Sequence, residues 1–350
     1  MSRVTIATAL FILNIVGEIV HVASVTCRDM NGLDVDWYYI YKLPKITSNQ
    51  NPLINEGIGF YYLDYNQQSF QLSTAAMNES SQPVAQTLQE IYNSPSENVA
   101  HIMYNDHPPD EEYQWSYGHT KGVVAYDRNN GFWMIHSVPR FPRRFGPYAW
   151  ADNGRRYGQS VLCVSFKSPE MENIAKQLLY NYPCVYGSNL PSNLLEIAPT
   201  FQEVVSGSHV PGAPFYKQVT LRSRGGQQFT HYAKHNHFGK DLYAKLVAED
   251  LERDLYVETW KRNTPLPSDC SAQHHAYNIL EIKFPSTDQF SYREDHSKWA
   301  ISDQSANVIC IGDINRERDQ FDRGGGTLCA NLPNVWQEYK DLIAQYEPCP

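Results

Sequence analysis

The sequence predicts a mixed α/β (α+β) fold made of two duplicated halves, each a mixed sheet flanked by helices. Three observations carry that prediction. Strand-length runs of β-branched and aromatic residues alternate with segments of helical period in both halves. The composition, 42% hydrophobic and 19% charged with 24 Tyr, belongs to a folded, sheet-rich chain and not to a disordered one. A stretch of about twenty residues also occurs twice, roughly half a chain apart, and internal repetition is the sequence mark of a duplicated unit.

The first element, residues 1–24, reads as a secretory leader. Arg3 supplies a short basic segment, Val4–Val16 is almost continuously apolar, and Val22 and Ser24 are small enough for cleavage after Ser24. Glu18 inside the apolar stretch argues against a permanent membrane anchor, and no later run has the ~18 uninterrupted apolar residues of a spanning helix. The mature chain then divides into a first half, residues 25–190, and a second, residues 191–350. Strands are expected at 37–41, 60–65, 123–126, 132–136 and 161–166, then at 255–260, 279–284 and 308–314. Helices are expected at 84–92, 170–182, 194–205, 240–253 and 335–346.

Seven cysteines are spread along the chain with no CxxC pair. In an exported protein that pattern reads as disulfides with one thiol left over, and not as a zinc or redox site. Asn78 opens a glycosylation sequon. The net charge of −9 counts histidine as neutral. If most histidines titrated near the ordinary imidazole value of ~6.5, the protein would become cationic near pH 5 and would bind a polyanion better in acid.

The repeat carries the chemistry. Residues 119–137, HTKGVVAYDRNNGFWMIHS, and residues 296–315, HSKWAISDQSANVICIGDIN, each begin His-x-Lys, enter an apolar strand, turn, and re-enter a strand with a polar end. A single His-x-Lys is weak, since it reads as well as a solvated strand edge. Two copies in duplicated halves are expected to face each other across a pseudo-twofold axis. Side chains at i and i+2 of a strand share a face, so His119 with Lys121, and His296 with Lys298, would each address one phosphate. Two His and two Lys in one cleft suit phosphodiester transfer with no metal or other cofactor. One His attacks phosphorus, the other protonates the leaving oxygen and then deprotonates water, and the lysines stabilise the non-bridging oxygens.

GHTKGV (118–123), GFWMIHSVPRFP (131–142), YGQSVLCVSF (157–166), EDHSKWAI (294–301) and IGDINRERDQFDRGGGTLCANLP (311–333), with DWYYIYKLP (36–44) and FGKDLY (238–243), closely resemble the deoxyribonuclease II family. The resemblance runs from about residue 27 to 349. It implies a phospholipase D-like fold and an acid lysosomal endonuclease that cleaves double-stranded DNA without metal to 3′-phosphates. It puts His119, Lys121, His296 and Lys298 in the active site. It adds His136 as a phosphate-orienting residue with Asn315 as its counterpart, and leaves the role of Asp303 open. Arg316 and Arg323, at the end of the second copy, are candidate phosphate or DNA contacts. The family disulfides map to Cys27–Cys163, Cys270–Cys349 and Cys310–Cys329, leaving Cys184 unpaired. Expected partners are DNA, with no membrane anchor; the oligomeric state is not predicted. The destination is lysosomal or secreted. Two other functions fit the sequence: a phosphodiesterase of the same fold acting on another diester, and a catalytically inactive, secreted DNA-binding or toxin-like protein. Two intact His-x-Lys copies weigh against the inactive form.

The remaining histidines, His101, His107, His209, His231, His274 and His275, are expected at the surface or in structural hydrogen bonds. The tripeptide His235-Asn236-His237 lacks the spacing of a metal-nuclease motif and is set aside, and Asp110–Glu112 reads as a solvated loop.

Overall fold

The computed structural model describes residues 24–93, 97–287 and 289–349. The expected leader therefore lies outside the described residues, apart from Ser24. A short ribbon, β1 (Cys27–Arg28) with β2 (Asp34–Val35), precedes the first large sheet. That sheet holds β3 (Trp37–Lys42), β4 (Phe60–Asp64), β5 (Gln71–Leu72), β6 (Ala100–Asn105), β7 (Lys121–Tyr126), β8 (Asn130–His136), β9 (Gln159–Lys167) and β10 (Val185–Asn189). The second holds β11 (Tyr216–Arg222), β12 (Gln228–Lys234), β13 (Leu255–Glu258), β14 (Ala276–Ile282), β15 (Phe290–Ser291), β16 (Trp299–Ser302), β17 (Val308–Gly312), β18 (Gly325–Asn331) and β19 (Ile343–Tyr346). The spatial orders are β10-β6-β7-β8-β9-β3-β4-β5 and β11-β12-β18-β17-β16-β13-β14-β15, with β19 also paired to β14.

Within those orders the antiparallel run β6-β7-β8-β9-β3-β4 repeats as β13-β16-β17-β18-β12-β11. Strand pairing therefore aligns the two sheets residue by residue. Lys121 opposes Asn105, and Gly122 opposes Ile135. In the second sheet Trp299 opposes Glu258 and Ile311. With Lys121 matched to Lys298, the rest of the alignment follows from the ladders.

Side-chain alternation builds the layers. Along β3, Trp37, Tyr39 and Tyr41 enter a central core, whereas Tyr38 and Ile40 enter an outer one. Along β16, Trp299 and Ile301 enter the same central core, and Ala300 faces a second outer core. Helix α1 (Pro83–Tyr92) covers the outside of the first sheet, and residues 242–248 cover the outside of the second. The sheets thus pack face to face, and helices α2 (Glu170–Asn181), α3 (Thr200–Val205) and α4 (Pro333–Asp341) add Leu178, Phe201 and Trp336 between them.

Two helix expectations change. The 194–205 segment splits into a short turn, Ser192–Leu195, and α3, because Pro199 starts a new helix and cannot continue the old one. The 335–346 helix stops at Asp341; Ile343–Tyr346 becomes β19 against β14, where Cys349 is tied to Cys270. The other disulfides are Cys27–Cys163 and Cys310–Cys329, the latter between directly opposed residues of β17 and β18. Cys184 is a buried free thiol. No helix among the described residues is long and apolar enough to cross a membrane.

Candidate active site

Both His-x-Lys pairs lie where β7 and β16 begin, and the fold brings them into one constellation. His296 is surrounded by cationic groups: Lys298, Lys121, His119 and Lys42 all act on it. Burial, reinforced by these groups, holds its imidazole well below the usual histidine range. Burial and Lys121 likewise lower Lys298 to a pKa of about 7.

The two histidines have unlike surroundings. On the first side Asp106, one residue past β6, is a fully buried hub. Its carboxylate takes Lys121, the His119 Nδ1 at 2.7 Å and the Arg323 guanidinium at 3.0 Å. Burial opposes that charge, but Lys121, His119 and Arg323 outweigh it and hold Asp106 well below the usual carboxylate range. An ionised carboxylate only accepts hydrogen bonds. The His119 Nδ1 therefore carries the hydrogen and donates it, which leaves the Nε2 lone pair available. Tyr113 Oη and Arg323 Nη1 also lie 3.1 Å from Nδ1. Burial and Lys121 lower His119 to about 3 despite Asp106.

On the second side the partners are rings. Tyr157 stacks on His296 at 4.2 Å between centroids and 8° between planes, and Trp260 lies 3.7 Å away on a tilt. The His296 Nε2 is buried and has no hydrogen-bond partner. Next to it, Asp295 accepts from Tyr41 and from the Ser297 hydroxyl and N–H, so its oxygens are used in holding the strand entry.

Each half completes the other's histidine. The His119 N–H donates to Gly324 O at 2.8 Å, and the His296 N–H donates to Gly158 O at 2.9 Å. The ladders make Gly158 and Gly324 equivalent, hence Tyr157 and Arg323, and likewise Asp106 and Trp260. A side chain at Gly324 would meet Asn181 O at 2.3 Å, so only glycine allows this approach. Behind each loop sits a buried lysine at the end of an equivalent strand. Lys42 Nζ donates to Gly57 O and Arg155 O, and Lys234 Nζ donates to Gln320 O, Phe321 O and Arg323 O. Arg155 and Phe321 are ladder equivalents, so the duplication extends to the atoms that pin these loops.

The other predicted residues divide. His136 is fully buried; the Val138 N–H donates to its Nδ1 at 3.2 Å, so Nε2 carries the hydrogen, and that Nε2 has no partner. Burial and Lys121 lower its pKa to about 3. Its register counterpart is Gly312 and not Asn315, so the pairing expected for these two residues fails. A side chain at Gly312 would strike the Tyr243 hydroxyl at 2.7 Å. The Asn315 Oδ1 is buried and unpartnered. Arg323 stands at the site, whereas Arg316 is committed elsewhere. Its guanidinium binds Asp241 at 2.8 Å and also Asn278, Ala276 O and Pro267 O inside the second half. Asp303 caps the β16–β17 turn through the Ser305 N–H. Asn78 is exposed in a turn.

The expectation of a histidine-driven charge reversal in acid is not met. Burial lowers all of His101, His107, His119, His136, His231, His235 and His296, and far enough in every one but His107 that the ring stays neutral near pH 5 in the unliganded protein. Sequence counting treated them as exposed. His231 is a structural group bonded to Gln177 Oε1 at 3.1 Å. His235 packs on His209 and His237 at a one-turn helix. Among the described residues no cluster of three or more His, Cys, Asp or Glu is arranged to hold a metal.

A family model for deoxyribonuclease II matches residues 26–349. The chain belongs to the deoxyribonuclease II family. Plancitoxin-1 of Acanthaster planci is 41% identical over 332 residues, 93% of each chain. Deoxyribonuclease-2-alpha of Sus scrofa is 38% identical over 338 residues, covering 94% of this chain and 92% of that one. Human deoxyribonuclease-2-beta is 38% identical over 353 residues, 97% and 96%. Membership makes the chain a hydrolase of the nuclease class, and the two packed, duplicated sheets fit the phospholipase D-like fold expected of this family.

Sequence reading missed Asp106, Tyr113, Tyr157, Trp260 and the two pinning lysines. Asp106 and Trp260 carry no local pattern, because only the strand ladders bring them to the histidines. Tyr157 was legible in principle: YGQS at 157–160 and RGGG at 323–326 extend the repeat by one more strand.

Proposed function

We propose that the chain is an acid endonuclease that hydrolyses double-stranded DNA to 3′-phosphates without a metal, with His119 as nucleophile and His296 as general acid. The observation that carries the assignment is the fixed tautomer of His119. Its Nδ1–H is held by a carboxylate that Lys121 and Arg323 keep charged, so Nε2 is a nucleophile even in acid. Attack by Nε2 forms the N–P bond while the P–O5′ bond breaks. The electron pair goes to O5′, which takes its proton from His296 Nε2. Water then attacks phosphorus, gives a proton to His296, and displaces the His119 nitrogen, leaving the 3′-phosphate. Asp106 offsets the positive charge that the phosphorylated ring carries.

Lys121 and Lys298 would neutralise the non-bridging oxygens, and the unpartnered His136 Nε2–H suits one of them. The low pKa of His296 implies that its catalytic proton arrives with the substrate, since an anionic phosphodiester raises the pKa of a neighbouring imidazole. Three disulfides fit an oxidising compartment, so the protein acts in the lysosome or outside the cell after removal of the leader, with a glycan at Asn78. The test is digestion of plasmid DNA near pH 5 in excess EDTA. Nicking should proceed; activity that is lost there and restored by Mg²⁺ would sink the metal-independent mechanism.

A further inference from the structure

Beside His296 the protein has a second feature that the reaction does not use. A cavity of about 370 Å³ opens next to the ring stack, walled by Tyr157, Trp260, Tyr292, Lys261, Arg262 and Arg293. That volume is within the range of small-ligand sites. Tyr157, Trp260 and Tyr292 are each part-exposed where they line the cavity. Cations lie over all three rings: Arg156 over Tyr157 at 5.0 Å, Arg262 over Trp260 at 5.4 Å, and Lys261 Nζ over Tyr292 at 4.3 Å. Arg156, Arg262 and Arg293 are exposed, and among the described residues none of them is paired with a carboxylate. In a chain of net charge −9 this is a local positive patch, on the face where the leaving group would depart.

We infer that this cavity is a nucleotide subsite that takes the unstacked base of the nucleoside whose 5′-oxygen leaves. The inference rests on the proposed roles, because His296 can protonate that oxygen only if the leaving nucleoside lies on its side. Aromatic rings stack on any base, and arginines interleaved with them hold the adjoining backbone phosphates. The base must leave the helical stack to enter, as in other enzymes that work on a nucleotide inside a duplex. Tyr292 touches neither histidine ring and serves the subsite alone; Tyr157 and Trp260 serve both.

The test uses oligonucleotides with one cleavable bond, the other linkages being methylphosphonates. An abasic sugar on the 3′ side of that bond should slow cleavage by the wild-type protein by roughly tenfold, the size of one lost base stack. In Tyr292→Ala the penalty should shrink towards unity, because base and ring act through each other. An abasic sugar that costs the wild type nothing would overturn the subsite, and so would a full penalty in a folded Tyr292→Ala or Tyr292→Leu variant. The same oligonucleotide carrying 5-iododeoxyuridine at that position should photocrosslink to Tyr157, Trp260 or Tyr292. A protein that crosslinks there but cleaves no diester would lose the proposed reaction and keep the subsite. Crosslinks that map only elsewhere would remove the subsite and leave the reaction intact.

Discussion

The two histidines occupy equivalent positions in a duplicated sheet, yet one is set in charge and the other in rings. At His119 the equivalent positions hold Asp106 and Arg323; at His296 they hold Trp260 and Tyr157. The backbone frame is the same on both sides, down to a donor bond from each histidine N–H to a glycine carbonyl of the other half. Duplication therefore supplied the geometry, and substitution at two positions per side separated the chemistry. A carboxylate fixes the tautomer of one ring and, in the proposed mechanism, would stabilise the charge that covalent attack creates. Aromatic faces fix the plane of the other ring without binding its nitrogens, so in the same proposal its Nε2 would exchange the proton.

The largest effect should come from the histidines themselves, and the leaving group should tell them apart. His119→Ala is expected to lose at least ~10⁴-fold on every diester, since the nucleophile is gone. His296→Ala should lose ~10²–10⁴-fold on DNA, the usual range for a general acid. On thymidine 3′-(p-nitrophenyl phosphate), whose leaving group needs no proton, His296→Ala should recover most of the first step and accumulate a phosphohistidine that survives an alkaline quench. The reverse pattern, with phosphate trapped on His296, would exchange the roles.

Next in size, Asp106→Asn keeps the shape but frees the tautomer, and kcat should drop by up to roughly 10⁴-fold, the loss when the carboxylate partner of a catalytic histidine becomes an amide. Trp260→Phe, at the equivalent position, keeps a ring and should cost less than about tenfold. Single-turnover rates on one DNA substrate compare the pair directly, and equal losses would deny the division between charge and rings.

A smaller effect concerns pH. Lys298 has its pKa lowered to about 7, so it is charged and able to bind phosphate below that pH and neutral above it. Activity should therefore fall as pH rises through about 7. Lys298→Arg stays charged and should move that alkaline limb upward by at least a unit in kcat/KM profiles; an unmoved limb would assign it to another group.

The smallest effect is on stability. Asp313, on the second side, accepts the Thr120 hydroxyl of the first, and burial raises its carboxyl to about 6. Folding thus favours its protonated form, a contribution present in full below about pH 3.8 and lost as pH rises through about 6. Asp313→Asn removes that dependence. Relative to the wild type, the variant should gain roughly 2–3 kcal/mol between pH 4 and pH 7 in urea unfolding, at 1.36 kcal/mol per pKa unit. A gap that does not change with pH would count against a buried neutral carboxyl at this contact.

The sequence by itself determined the repeat, the two His-x-Lys pairs, the long strands and helices, the likeness to the deoxyribonuclease II family and, through it, the three disulfides. These are local patterns or motif matches: period-2 and period-3.6 apolar spacing, and runs of residues that need no partner to be recognised. Strands β11, β12 and β18 escaped because β11 and β12 are largely polar and β18 opens on two glycines, so that only pairing stabilises them. What belongs to each histidine was decided by the tertiary structure alone. Asp106 reaches His119, and Trp260 reaches His296, because each sits just past a strand that pairs beside it; Arg323 and Tyr157 arrive from the opposite half. Likewise Arg316, which in sequence looks as available to phosphate as Arg323, is used up by Asp241 and Asn278. Burial then set the protonation states, since histidines that composition counts as titratable are held neutral by desolvation and by the lysine two residues on, joined at His296 by Lys121 and Lys42 of the other half.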